Sequence, residues 1–325
     1  MHFYVLLSTQ IFCFLWTIPI VYSECESIII DTDAGADDAM AILMILSSIR
    51  CVNVEAITCV RGNTGANNVS INVLKTLFIA NRLDIPVFVG SEAGLVYSSK
   101  IDNYFGDDGL GDFEFPIKPD PSLLKKNHAA VAIAEIVENN PGSITIVSIG
   151  PLTNIALASH INKNFFKQVK RLIILGGSYK GQGNIGPGIE FNIYADAEAA
   201  ASLFSRLPPY TPTLMLPYET CKENSYSLSW RLETLGKLGS VKMDFLNLAE
   251  RKTLNNIKSW TPFDQNIAAI ILHPEIILNS ELGQVIVNTS DNRGETDFIV
   301  GEGSVQIVTK LNRVEVKRIL IATLS

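Results

Sequence analysis

Histidine and cysteine are scarce in this 325-residue chain, with four and five copies. They form no Cys-x-x-Cys pair and no His/Cys cluster at zinc spacing, so the sequence carries no zinc-finger-type signature. Positive charge is also short. Lysine and arginine number 26 against 33 acidic residues, and a net charge of −7 does not suggest a nucleic-acid-binding surface. No repeats or low-complexity tracts occur, which removes solenoid architectures. Lys and Arg are missing altogether from residues 28–49, and that local absence matters most, because the same stretch is crowded with carboxylates.

The first 23 residues lack Lys, Arg, Asp and Glu, and 4–21 is strongly apolar. Ser8, Thr9, Gln10, Thr17 and Pro19 interrupt that run, whereas a membrane-spanning helix needs about 20 apolar residues. With Pro19, Val21 and Ser23 placed as in a cleavage region, residues 1–23 read as a secretory signal peptide, and the product is expected to be secreted and extracellular. Residues 24–325 remain, enough for one large domain. Cys13 falls in the signal, leaving Cys25, Cys51, Cys59 and Cys221. Four cysteines in an exported chain make disulfides plausible and allow three connectivities. Cys51 and Cys59 flank a predicted strand and lie too far apart to bridge each other. If two other pairs form, no thiol is left free. Asn68 and Asn288 head Asn-x-Ser/Thr acceptor triplets for glycosylation.

Residues 28–46 read IIIDTDAGADDAMAILMIL. Three isoleucines predict a buried strand, Ala34-Gly35-Ala36 a tight turn, and the apolar run after Asp38 a buried helix. Asp31 and Asp33, two apart, share one face of the strand. Asp37 and Asp38 fit the first helical turn, where the dipole favours anions. Four carboxylates in eight residues repel unless something positive compensates them, and no basic residue is near. A bound cation is the natural candidate, and carboxylate oxygens select a hard one, Ca²⁺ or Mg²⁺.

Strand–helix alternation continues through predicted strands at 54–60, 86–90, 143–149, 171–177 and 212–216. Predicted helices fill 67–81 and 128–138, one opens at 150–154, another follows 260–264, and a last covers 313–322. Short strands are expected at 285–287, 298–300 and 305–308, and a helical segment of mixed charge at 225–257. Residues 91–127 lack periodicity and read as a functional loop or lid. The pattern predicts a single α/β domain, a mostly parallel central sheet flanked by helices.

DTDAGADDAMAI resembles the DxDPGxDDAxAI signature of the calcium-dependent nucleoside N-ribohydrolases, the inosine-uridine preferring nucleosidases, with Ala34 in place of the usual proline. Haloacid dehalogenase phosphatases also open on a strand and DxD, but usually carry Thr or Val where Gly35 stands. Three further elements resemble the family in order. Gly106 to Gly111 resembles its H-G-x-x-G-L-G loop, with Phe105 near the usual histidine; Gly150-Pro-Leu-Thr-Asn154 resembles G-P-L-T-N; Glu190-Phe-Asn192 through Asp196-Ala-Glu-Ala-Ala200 resembles E-F-N-x-x-x-D-x-E-A-A.

The resemblance implies a Rossmann-like nucleoside hydrolase fold and a Ca²⁺ held by Asp33, Asp38, Asp264 and the backbone carbonyl of Ile149. It implies Asp33 as the base that activates water, and Asp37, Asn63, Asn184, Glu190 and Asn192 as the ribose grip. Asp31 is expected behind them, orienting the others, and Asp264 alone reads as a helix cap. Where the best-known branch has a histidine before the late aspartate, this chain has Phe263, which cannot donate a proton. Stacking by Trp260, Tyr104 or Phe105, or protonation from bulk water, is the expected substitute, with Trp260 as a base contact and a lean towards purine nucleosides. Trp260 as core packing is the competing reading. The expected partners are a small-molecule nucleoside and copies of the chain itself (a dimer or tetramer), with no nucleic acid or membrane. A nucleoside-binding protein without turnover is the alternative function.

Overall fold

The structure is a computed structural model that describes residues 25–101, 103–301 and 303–325. The signal proposed for residues 1–23 lies outside the described residues. Among the described residues there are twelve strands: β1 Glu26–Thr32, β2 Val52–Cys59, β3 Val87–Val89, β4 Leu124–Lys125, β5 Ile144–Ser148, β6 Arg171–Leu175, β7 Thr213–Leu216, β8 Tyr226–Ser227, β9 Ser259–Trp260, β10 Ile277–Val287, β11 Thr296–Val300 and β12 Val305–Leu311. Ten of them form one sheet in the order β11-β10-β12-β7-β6-β5-β1-β2-β3-β4, parallel except at β10, while β8 and β9 pair separately.

Helices cover both faces, and β1 shows why the sheet is buried. Ile28 and Ile30 pack with helices Ala36–Ser47, Ala66–Ile79, Asp264–Leu272 and Arg313–Leu324, while Ile29 faces helices Ala129–Asn139, Thr153–Ile161 and Ala197–Arg206. None of the three isoleucines retains exposed surface. Each such side chain contributes about 1.5–3 kcal/mol. The expected single α/β domain is therefore what folds. Among the described residues no helix is long and apolar enough to cross a membrane.

From β1 the chain winds outward through β2, β3 and β4, then returns to β5 on the opposite side and winds through β6 and β7. The order reverses between β1 and β5, whose carboxyl ends open a crevice suited to a ligand. Asp31 is level with Thr58 on β2 and Ser148 on β5, so the acids after β1 stand at the mouth of that crevice.

Three expectations change. The strand predicted at 285–287 extends back to Ile277. Its first half carries exposed polar side chains and irregular register, so it shows no alternation to read. The segment 225–257 is helical only in pieces, because Tyr226 and Ser227 pair with Trp260 and Ser259 across it. Finally, Cys25 bonds to Cys51, joining the starts of β1 and β2, but Cys59 and Cys221 are buried free thiols. Cys59 ends β2 and Cys221 follows β7, four strand spacings away, roughly 19 Å. They cannot meet.

Candidate active site

The turn after β1 gathers the acids. Ala34 adopts φ 28°, a conformation closed to the proline usual at this position in the motif. Thr32 Oγ1 donates to Asp38 Oδ1 at 2.5 Å, and the Gly35 amide donates to Asp38 Oδ2 at 2.9 Å. Asn63 Nδ2 donates to the same oxygen at 3.3 Å. Asp38 is thus clamped to the turn that precedes its own helix, and Asn63 is more than a turn residue.

Asp33 is buried. Its Oδ2 accepts the Asn63 amide at 2.7 Å, whereas Oδ1 has no partner among the described residues. A Cβ at Gly62 would fall 2.0 Å from Asp33 Oδ2, closer than any side chain allows. Gly62→Ala must therefore push the carboxylate aside. Displacement of a reacting group by about 1 Å costs on the order of 100-fold in turnover. If Asp33 is the base that the resemblance implies, base release by Gly62→Ala is expected to fall by at least about that factor with the circular dichroism spectrum unchanged; wild-type turnover would show that Asp33 need not sit where it does.

Asp264 enters from the other end of the chain as the first residue of helix Asp264–Leu272. The cap itself is Phe263, without a side-chain bond, so Asp264 is not the N-cap expected. Carboxylate oxygens of Asp37, Asp38 and Asp264 lie within 4.8 Å of one another. Burial pushes the Asp33, Asp37, Asp38 and Asp264 carboxyls upward, and their mutual repulsion raises Asp33, Asp37 and Asp264 further. Ionised together, these groups demand a cation, and Asp33 Oδ1 is a buried acceptor with nothing to accept from. The donor set fits a hard metal. Asp31 does not orient the other acids directly. Its Oδ1 accepts from Thr58 and Asn154, tying β1 to β2 and to helix Thr153–Ile161, and burial pushes its carboxyl up to about 7.

The ribose-gripping candidates converge on the same cleft. Glu190 caps helix Phe191–Ala195, its carboxylate accepting from the amides of Gly177, Asn192 and Ile193, and burial raises it to about 7. Asn192 Nδ2 donates to the carbonyl of Ile149 at 3.2 Å, and Asn184 Oδ1 accepts the Phe191 amide at 2.9 Å. The cleft, about 280 Å³, is lined by Asp33, Asp37, Asp38, Asn63, Ile149, Asn184, Glu190, Asn192, Trp260 and Asp264 together. Every residue expected to hold the metal, activate water or grip the ribose is there, with Trp260, whereas Asp31 is not part of the lining.

Residues 28–318 match the model of the inosine-uridine preferring nucleoside hydrolases. The chain belongs to that family. It is 39% identical to uridine nucleosidase 1 of Arabidopsis thaliana over 187 residues, 57% of this chain and 55% of that protein. Alignments with the first curated relatives span little more than half of their length, 55% and 56%. Among solved structures, a plant nucleoside hydrolase is 29% identical with a TM-score of 0.82, and an inosine-guanosine nucleoside hydrolase is 27% identical with a TM-score of 0.84. Both alignments cover 92% of this chain and 98% of the other.

Around Trp260 the cleft departs most from expectation. Trp260 lines the cleft but is almost wholly buried. Its ring stacks on Tyr226 at 6.3 Å and lies beside Trp230 at 6.1 Å, and its Nε1 donates to Glu250 Oε1 at 2.8 Å. Tyr104 and Phe105 line the cleft as a T-shaped pair 4.8 Å apart. Sequence reasoning missed Tyr218, Lys222 and Glu250, which also line it. The spacing of Tyr218 and Lys222, one helical turn apart just after a strand, was the available signal.

Proposed function

We propose that the chain is a secreted calcium-dependent hydrolase that cleaves the N-ribosidic bond of nucleosides to free base and ribose. The observation that carries this is Asp33: a buried carboxylate with one unpartnered oxygen, facing a cleft lined by three further aspartates and by Asn63, Glu190 and Asn192. Asp33, Asp38, Asp264 and the Ile149 carbonyl would hold the calcium, which supplies positive charge that favours ionised carboxylates and an ionisable water. Asp33 Oδ1 takes a proton from the attacking water. Asp37, with the polar side chains of Asn63, Asn184, Glu190 and Asn192, binds the ribose hydroxyls and fixes the anomeric carbon against that water. As the bond to the base lengthens, positive charge on the ribose ring is stabilised by the surrounding carboxylates.

Export is supported by the exposed Cys25–Cys51 disulfide, a bond that persists in oxidising compartments. A homo-oligomer is supported by Leu282, Ile286 and Ile299, half-exposed on one face of the outermost strands. The purine lean is retained with a different stacking surface, Phe263 and Tyr218, since Trp260 is occupied by its neighbours. Base release measured on inosine, guanosine, uridine and cytidine tests the reading. Turnover with calcium, at least about 100-fold lost after exhaustive chelation, is expected, with the purines faster. Tight nucleoside binding without base release would make the chain a binding protein, and a clear preference for uridine would remove the purine lean.

A further inference from the structure

Among the described residues the cleft is lined by six carboxylates, those of Asp33, Asp37, Asp38, Glu190, Glu250 and Asp264, and by a single cationic side chain, Lys222. Glu250 is already neutralised by Arg231 at 2.6 Å, and among the described residues Lys222 pairs with no acid. Lys222 lies four residues after Tyr218 on helix Tyr218–Glu223, so both project from one face. The Tyr218 ring stacks on Phe263, with centroids 5.9 Å apart and planes 20° apart, and Phe263 immediately precedes Asp264. An aromatic shelf and an unpaired ammonium therefore stand together beside the acids, where no histidine lines the cleft among the described residues.

We propose that Lys222 stabilises the departing base while the Tyr218–Phe263 pair stacks under it. This rests on the hydrolase reading of the same cleft. When the C1′–N bond breaks, its electron pair leaves with the base nitrogen, and the water oxygen bonds to C1′. The water's proton passes through Asp33 to solvent, the base collects one from solvent, and one water is consumed. The Lys222 ammonium donates a hydrogen bond to an acceptor atom of the base and opposes the negative charge building there. That interaction is strongest in the transition state, so it acts on kcat. Hypoxanthine and guanine, with N7 and O6 acceptors side by side, suit such a donor well.

The test compares inosine with 4-nitrophenyl riboside, whose leaving group is stable as an anion. Lys222→Met is expected to lower kcat on inosine by about 100-fold, with a loss under about threefold on nitrophenyl riboside. Lys222→Arg, which keeps the charge, is expected to restore most of the inosine rate. Equal losses on both substrates, or no loss on inosine, would overturn the role of Lys222 while leaving the hydrolase reading intact. If the wild-type protein turns over neither substrate in calcium, the hydrolase reading itself falls, and this inference with it.

Discussion

Asp264→Asn is expected to strip the protein of bound calcium and to slow base release at least about a thousandfold, equivalent to about 4 kcal/mol of transition-state stabilisation. The change is conservative for the fold. Asp264 makes no cap for its helix, and asparagine has the same shape. What it loses is one of the three carboxylates whose oxygens crowd within 4.8 Å. Calcium content by atomic emission and kcat on inosine measure the outcome. A variant that retains a full equivalent of calcium would remove Asp264 from the metal site. Thermal denaturation gives an independent reading. The raised carboxyls stabilise the ion-free protein while they remain protonated, and that contribution is lost as pH rises through their folded-state values. Calcium binding needs them ionised, so the calcium-induced rise in Tm should grow from acid to neutral pH in the wild type. In Asp264→Asn it should vanish.

Arg231→Met is expected to cost about 3–5 kcal/mol of stability, the effect of stranding a buried charge. Arg231 is fully buried. Its Nε donates to Glu250 at 2.7 Å and its Nη1 to Asn247 at 2.9 Å. Methionine fills similar volume but leaves the Glu250 carboxylate without its cation, in a cleft where that charge already bears on Asp37. Adding Glu250→Gln removes the stranded charge and leaves an amide oxygen for the Trp260 indole, so the double variant should regain most of the loss. Urea unfolding of the four proteins in the cycle measures the coupling. Stability within 1 kcal/mol of wild type for Arg231→Met would show that the pair contributes nothing net.

The parts of the molecule legible in sequence are those with strong local signals. Ile28 to Asp38 announces a buried strand, a turn and a helix in eleven residues, and it gives exactly that order of elements in the structure. The two-residue β4 sits in a stretch that reads as loop, whereas the parallel strands β1, β5, β6 and β7 read as apolar runs because both faces are buried. The antiparallel β10 did not, since half of it lies at an irregular, solvent-facing edge. Pairing of Tyr226 with Trp260 joins residues 34 apart and leaves no local trace. Glu250 and Arg231 looked like two charges in a mixed segment, and only the fold reveals them as one buried pair. Lys222 carried only its one-turn spacing from Tyr218 as a signal, for a similar reason: a lone lysine acquires meaning from the acids around it, and those come from distant elements.

Glu219 lies buried beneath the loop that precedes Glu190, and its carboxylate accepts from Ser178 Oγ and from the amides of Tyr179, Lys180 and Gln182. Together with the bonds made by Glu190, this tethers the sugar end of the cleft to the sheet from below. The proposed base end rests on half-exposed or exposed side chains, Tyr218, Lys222 and Phe263, of which Phe263 packs against the core. The two ends are therefore unequally free to change. Substitutions at the sugar end disturb a network shared with the core, whereas those at the base end alter what is recognised at little cost to folding. A scaffold divided in this way can acquire a new nucleobase preference by a handful of surface replacements. Directed evolution of the chain towards another base should accumulate its changes around Tyr218, Lys222 and Phe263 and leave the loop above Glu219 untouched.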